Sequence, residues 1–226
     1  MSTKWIYRII AGLAIAAVLY VFFPNSEPNP RPTWWNIQPN STTLSVLGLS
    51  LNKSQLNDAI HSLKTHPKVA LFTRRQGENQ PEPPMHLEAY FEDVFDEGDS
   101  IIVTLLADKK LLQHIKKEAY QPEWMPNDVI RVSIRQKLYP SLQHLAISSI
   151  TILAGRQIEF EAFQEHFGKP DKILSDGQGN AHFLYPQLGL DLIQPAGGTH
   201  ILQFVSPDVF DQKLLQPLVN KQRKQG

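Results

Sequence analysis

An uninterrupted apolar run from Ile9 to Phe23, preceded by Lys4 and Arg8 and closed by Pro24, constrains this chain more than any other segment. As a helix, IIAGLAIAAVLYVFF is about 22 Å long, and counted from Trp5 it reaches about 28 Å, close to a hydrocarbon core of about 30 Å. The segment is therefore expected to cross a membrane once, as residues 5–23, with residues 1–4 as a short tail. Arg8 is compatible with this, because near a helix end its stem lies along apolar surface while the guanidinium reaches the headgroups. Trp5, Tyr7 and Tyr20 stand where amphipathic rings favour the interface. A cleaved signal peptide is the rival reading, but cleavage needs small residues and the run ends Leu19-Tyr20-Val21-Phe22-Phe23-Pro24. There is no cysteine to carry a lipid. Lys4 and Arg8 precede the run, whereas Glu27 and Arg31 balance each other after it, so the tail is expected in the cytoplasm and the bulk of the chain on the far side. The expectation is a single-pass protein of a bacterial inner membrane whose C-terminal region is periplasmic.

The remaining sequence is polar and balanced. Its 22 basic and 22 acidic residues leave no electrostatic footprint for nucleic acid, so nucleic-acid binding is not expected. The absence of cysteine removes disulfides and zinc-thiolate sites and suits an oxidising compartment. Asn40-Ser41-Thr42 and Asn52-Lys53-Ser54 match the glycosylation triplet, which matters only in a eukaryotic secretory pathway. Residues 24–42 carry Pro24, Pro28, Pro30, Pro32 and Pro39 among Asn, Ser and Glu, and read as a stiff extended linker. Trp34 and Trp35 stand out in it. Adjacent indoles either dock on the interface or the folded region, or anchor a partner protein.

Two later stretches share an order of signals. The first, residues 43–140, opens with Leu47-Gly48-Leu49-Ser50-Leu51 and a helix whose Leu56, Ile60 and Leu63 fall on one face; Asn52 is the expected N-cap, with Gln55 completing a capping box. A loop at Gln76–Pro84 then leads into strands at 86–91 and 100–106. The second, residues 141–215, opens with Ile150–Leu153 and a helix bearing Phe160, Phe163 and Phe167, ended by Gly168-Lys169-Pro170. Strands are expected at 181–185, 189–194 and 199–205. A shift of 107 places lays Leu56 on Phe163 and Ile60 on Phe167. Between the helix-and-meander portions lie an amphipathic helix at about 109–119 and strands at 128–134 and 145–153. The fold class is α+β: one N-terminal transmembrane helix, then two helix-plus-antiparallel-meander units, then a basic tail at 216–226 read as a frayed end. A helix must cover one face of each meander, since a ribbon of that size is marginal in water.

Gly155, the helix running to Phe167-Gly168-Lys169-Pro170-Asp171, and the strand ending Leu202-Gln203-Phe204-Val205 resemble the small domains of the SmpA/OmlA (BamE-like) group and the related tandem fold of β-lactamase inhibitory protein. The likeness covers about 55 residues of the second unit and, more loosely, the first. It implies an envelope-located, non-enzymatic protein binder. This chain departs from that group in having an apolar anchor where the group has a lipidated cysteine.

Catalytic signatures are few. The chain has no His-Glu-x-x-His, Gly-x-Ser-x-Gly, Walker or dinucleotide motif, and no thiol nucleophile. His86 and Glu88 share a strand face, and His182 and His200 are expected near one another across strands; either pair is the candidate for a metal or acid–base site. No third ligand stands at a telling distance, so no metal and no cofactor is expected. The acidic run Glu88, Glu92, Asp93, Asp96, Glu97 and Asp99 lacks the ligand spacing of an EF-hand and reads as a solvated turn. Enzymatic activity is thus not the favoured expectation. Two functions are carried forward: a membrane-anchored periplasmic interaction module, scaffold or accessory subunit of an envelope complex with a protein partner in or near the inner membrane; or an envelope hydrolase or small-ligand or metal-binding protein with a site between the two units.

Overall fold

The computed structural model describes residues 38–40, 43–75, 81–94, 98–118, 120–126 and 128–223. The expected membrane helix, Trp34 and Trp35, and all of the linker except 38–40 lie outside them. Among the described residues no helix is long and apolar enough to cross a membrane.

Three short strands, β1 (Gln38–Asn40), β2 (Thr43–Val46) and β3 (Leu49–Ser50), form a small antiparallel sheet. Leu47 and Gly48 turn β2 into β3 with positive φ at both positions, matching a two-residue hairpin turn. Helix α1 (Leu56–Leu63) follows, burying Leu56, Ala59 and Leu63. Its cap corrects the sequence expectation. Gln55, not Asn52, is the N-cap, and its N–H donates to Asp58 Oδ2 at 2.8 Å. Asn52 instead adopts a positive φ and gives its N–H to the carbonyl of Ile147 at 2.7 Å.

The rest of the chain builds one antiparallel sheet of ten strands. They are β4 (Lys68–Arg74), β5 (His86–Val94), β6 (Asp99–Leu105), β7 (Tyr120–Met125), β8 (Val129–Ser133), β9 (Ile147–Leu153), β10 (Lys172–Ser175), β11 (Ala181–Tyr185), β12 (Leu190–Gln194) and β13 (Ile201–Val205). Their order is β10-β11-β12-β13-β9-β6-β5-β4-β8-β7. The strands of the first and second stretches thus meet at the β6–β9 pair. The seam is also tied by Asp99, 1% exposed, whose Oδ1 accepts the N–H of Gly155 at 2.7 Å. A residue read as part of a solvated acidic turn is in fact a buried acceptor.

Helices α2 (Lys109–Glu118), α3 (Tyr139–Leu142) and α4 (Phe160–Phe167) complete the layer above the sheet, and α5 (Gln216–Arg223) follows the last strand. Alternation explains the core. Along β4, β5 and β6, residues such as Leu71, Leu87, Phe91, Ile101 and Val103 are fully buried, while their neighbours on the reverse face keep partial exposure. Across the seam the same buried face continues through Ile150, Ile152, Leu202 and Leu192 to Phe183, on which Phe160 of α4 packs at 4.1 Å between centroids. α1 and α4 are both eight residues long, and aligning their first residues, Leu56 and Phe160, gives a shift of 104 places, three from the 107 read from the sequence. Three residues are nearly one helical turn, so both shifts lay a buried residue of α1 on Phe163.

The C-terminal stretch also differs from expectation. A widened π-type turn at Asp211–Leu215 runs into α5, which buries Leu218 and lies on the sheet face opposite α4. Its Lys221 is within 3.0 Å of Asp176 Oδ2. The tail is docked as far as Arg223.

Candidate functional site

The helices cover one face of the ten-stranded sheet; the other is covered only in part. Register places one directly opposed row along this second face: Lys68, Tyr90, Ile102, Thr151, Gln203, Asp191, Leu184 and Lys172, one residue from each of eight strands. Parallel to it run Ala70, Glu88, Thr104 and Ser149, and beside those Phe72 sits opposite His86 and Arg131.

Where Ala70 falls between Phe72 and Tyr90, its missing bulk opens a groove of about 390 Å³. The floor is apolar, from Ala70, Phe72, Tyr90 and Ile102, and Met125 closes one side. Charges rim it in satisfied pairs. Lys68 meets Glu92 at 2.6 Å, a bond that raises the lysine's pKa, and Arg131 meets Glu123 at 3.1 Å. These exposed pairs contribute little to stability but hold long side chains upright around an apolar floor. The arrangement is an apolar centre with a polar rim.

His86 and Glu88, predicted from strand alternation to share a face, do so at this rim: His86 Nε2 is 3.0 Å from Glu88 Oε1, and the ring stacks on Phe72 at 5.5 Å. Both stand open to solvent, with side chains 49% and 26% exposed. Among the described residues no three His, Asp or Glu side chains converge on a metal position. The described members of the acidic run disperse: Glu92 turns to Lys68, Asp93 accepts the N–H of Gly98, and Asp99 faces the seam, while Asp96 and Glu97 lie outside the described residues.

His182 and His200 do not meet. His182 is opposite Ile193, which is opposite Ile201, so His200, one residue before Ile201, points to the other side of the sheet. There its ring lies 4.8 Å from Phe163 of α4, 4% exposed, with neither nitrogen hydrogen-bonded. Burial lowers its pKa below the usual 6.5, and Glu159 opposes this only in part. The sign follows. Above 6.5 the imidazole is neutral in both states; as pH falls, the unfolded chain takes the proton first, so stability is lost on passing down through the folded pKa. Urea unfolding at about pH 7.5 and pH 5 is therefore expected to show a larger loss for the native chain than for His200→Leu. Equal losses would remove His200 as the cause.

His182 has a partner that sequence reading missed. Its Nδ1 is 2.8 Å from Asp191 Oδ2, both side chains are nearly sealed, and Asp191 Oδ1 is buried without a hydrogen bond. Desolvation raises the Asp191 pKa, with the bond to His182 pulling the other way. The available signal was a carboxylate inside the apolar strand Leu190-Asp191-Leu192-Ile193. Asp176 was missed as well. Burial would raise its pKa, but the N–H groups of Gln178 and Asn180, the Asn180 amide and Lys221 together hold it well below the usual carboxylate range. This cluster fixes the end of the C-terminal helix.

The described parts of the chain thus present an apolar groove with a paired-charge rim at one end of a sheet face, and a docked helix and a buried His–Asp pair toward the other. Compared with protein-family models, curated proteins and solved structures, the chain matches none.

Proposed function

We propose that this chain is a membrane-anchored interaction module, a scaffold or accessory subunit of an envelope complex, and that its partner protein docks on the open face of the ten-stranded sheet. The observation that carries the reading is the groove over Ala70, with its apolar floor and its rim of already paired charges. A partner side chain entering it removes apolar area from water without stranding a charge. In this reading two helix-and-meander units share one sheet, which widens a face that neither would offer alone. The run Ile9–Phe23 serves as a single inner-membrane span with the sheet on the periplasmic side, and Trp34 and Trp35 add a contact near the membrane. The module acts by holding its partner.

Site-specific photo-crosslinking in intact membranes tests this. A benzophenone side chain at Ile102, in the groove, is expected to give one discrete protein adduct, and the same probe at Lys110 on α2 none. Glu123→Lys, at the exposed rim of the groove, sets a like charge against Arg131 and is expected to reduce the Ile102 adduct at least about tenfold, equivalent to about 1.4 kcal/mol, with unfolding changed by less than about 0.5 kcal/mol. Equal adducts from both positions, or none, would sink the reading. A second reading, a small-ligand site, has His86 and Glu88 at the groove rim in its favour. It requires ligand binding by the protein alone that His86→Ala abolishes.

A further inference from the structure

The open sheet face already carries one occupant, and it is part of the chain. After Phe210, which is 1% exposed and packs on Leu184 and Val205, residues 211–223 lie over the β10–β12 end. The segment presents Leu214, Leu215 and Leu218 inward and Lys221 at its end. Lys221 Nζ reaches Asp176 Oδ2 at 3.0 Å and Gln178 Oε1 at 3.1 Å, and the Gln222 amide donates to the carbonyl of Ser175.

We infer that this end of the face is a helix-docking groove, and that residues 211–223 exchange there for an amphipathic helix of the partner protein with leucine-like side chains three and four apart and a cation near its C-terminal end. The inference rests on the proposed function, since it names the kind of partner element that the same face accepts. Three features support exchange. The seated segment shows the chemistry the surface selects: an apolar stripe over Leu184 and Val205, and a cation on a carboxylate whose other acceptor positions are filled by fixed donors. Its attachment is uneven: Leu218 is buried and Lys221 is held, but Leu214 and Leu215 are only half-buried, the turn at 211–215 is widened, and the bonds to Asp176, Gln178 and Ser175 come from side chains. The surface also carries an unmet demand beside the seat. Asp191 lies opposite Leu184 in the register, and its Oδ1 is buried with no donor, a position that a donor on an incoming helix would satisfy. Opening would join this end to the groove at Ile102 through Thr151 and Gln203.

The absence of native cysteine allows a direct test in the full chain. With Leu184→Cys under the segment and Leu71→Cys under the helices as reference, native-state thiol labelling is expected to be at least about 100-fold faster at position 184, and faster still when Lys221→Ala is added. Amide exchange of the unsubstituted protein supplies the same comparison: 211–223 is expected to exchange well before β5, β6 and β9. A labelled synthetic peptide of residues 207–223 is expected to bind the full chain carrying Lys221→Glu, whose own segment has lost its cation, and to lose that binding when the peptide's Lys221 is replaced by Glu. Equal labelling rates for the two thiol variants, matching late amide exchange, or a peptide that fails to bind overturns the inference. These failures would leave an Ile102 adduct intact, whereas loss of that adduct with a labile C-terminal helix would sink the proposed function instead.

Discussion

Gly189→Ala is expected to lower the stability of this protein by roughly 3 kcal/mol or more, from a strained left-handed backbone and an unrelieved clash that each cost about 1–3 kcal/mol. Gly189 ends the short 3₁₀ turn Pro186–Leu188 with φ of +61° and leads into β12. There the chain passes against β13 so closely that a Cβ would stand 2.0 Å from the carbonyl oxygen of Val205 and 3.1 Å from its carbon. Both obstacles are backbone, and the same approach is held by the Val205 N–H donating to Gly189 O at 2.9 Å. No rotamer change relieves it, so the β12–β13 hairpin must part. For a domain of this size the loss corresponds to a melting temperature about 6–12 °C lower, measured by thermal or urea unfolding. A change within about 0.5 kcal/mol, the range of ordinary surface substitutions, would show that the hairpin tolerates separation there.

Phe163→Ala is expected to cost about 3–5 kcal/mol, the range for deleting a fully buried aromatic ring. Phe163 is 0% exposed and stacks with Phe167 of its own helix at 6.4 Å while covering His200 at 4.8 Å. The substitution opens a void against an imidazole that has no hydrogen bond, and water entering the void supplies one. The variant is thus expected to lose stability and also to lose acid sensitivity, with the His200 resonance titrating closer to the ordinary value in an NMR experiment. Stability loss with an unmoved His200 titration would mean that the void stays dry. The paired readout separates packing from hydration.

The elements that sequence reading captured are those with a local cause. The strands at 181–185, 190–194 and 201–205 are β-prone runs bounded by turns with Gly or Pro, and the amphipathic stripes of α1, α2 and α4 fall where their spacing put them. Three strands of the ten-stranded sheet were missed for different reasons. β7, Tyr120–Met125, has a proline, a register shift and every residue exposed, so it shows no alternation. β10 is four residues long and close behind Gly168-Lys169-Pro170. β4 does carry an apolar run, Val69–Phe72, hidden in the shadow of the helix that ends before Pro67. The groove was illegible because its floor joins Ala70, Tyr90 and Ile102 through strand register, which no window along the chain contains. His86 and Glu88 were legible because two residues apart in a strand is a local relation. The C-terminal tail was misread for the opposite reason, since its charges looked solvated until the fold brought Asp176 to Lys221.

The strand order has a temporal side. β9 pairs with β6, about fifty residues earlier, and with β13, about fifty residues later, and Ile147, Ile150 and Ile152 on it are fully buried. During synthesis the first half therefore emerges with β6 as a raw edge until β9 arrives, and β9 then waits for β13. For that interval the most apolar ladder of the molecule is a template open to other chains. The protein depends on prompt completion of its second half: a polypeptide cut short before Ile147 leaves β6 open, and one cut short just beyond Leu153 leaves β9 open.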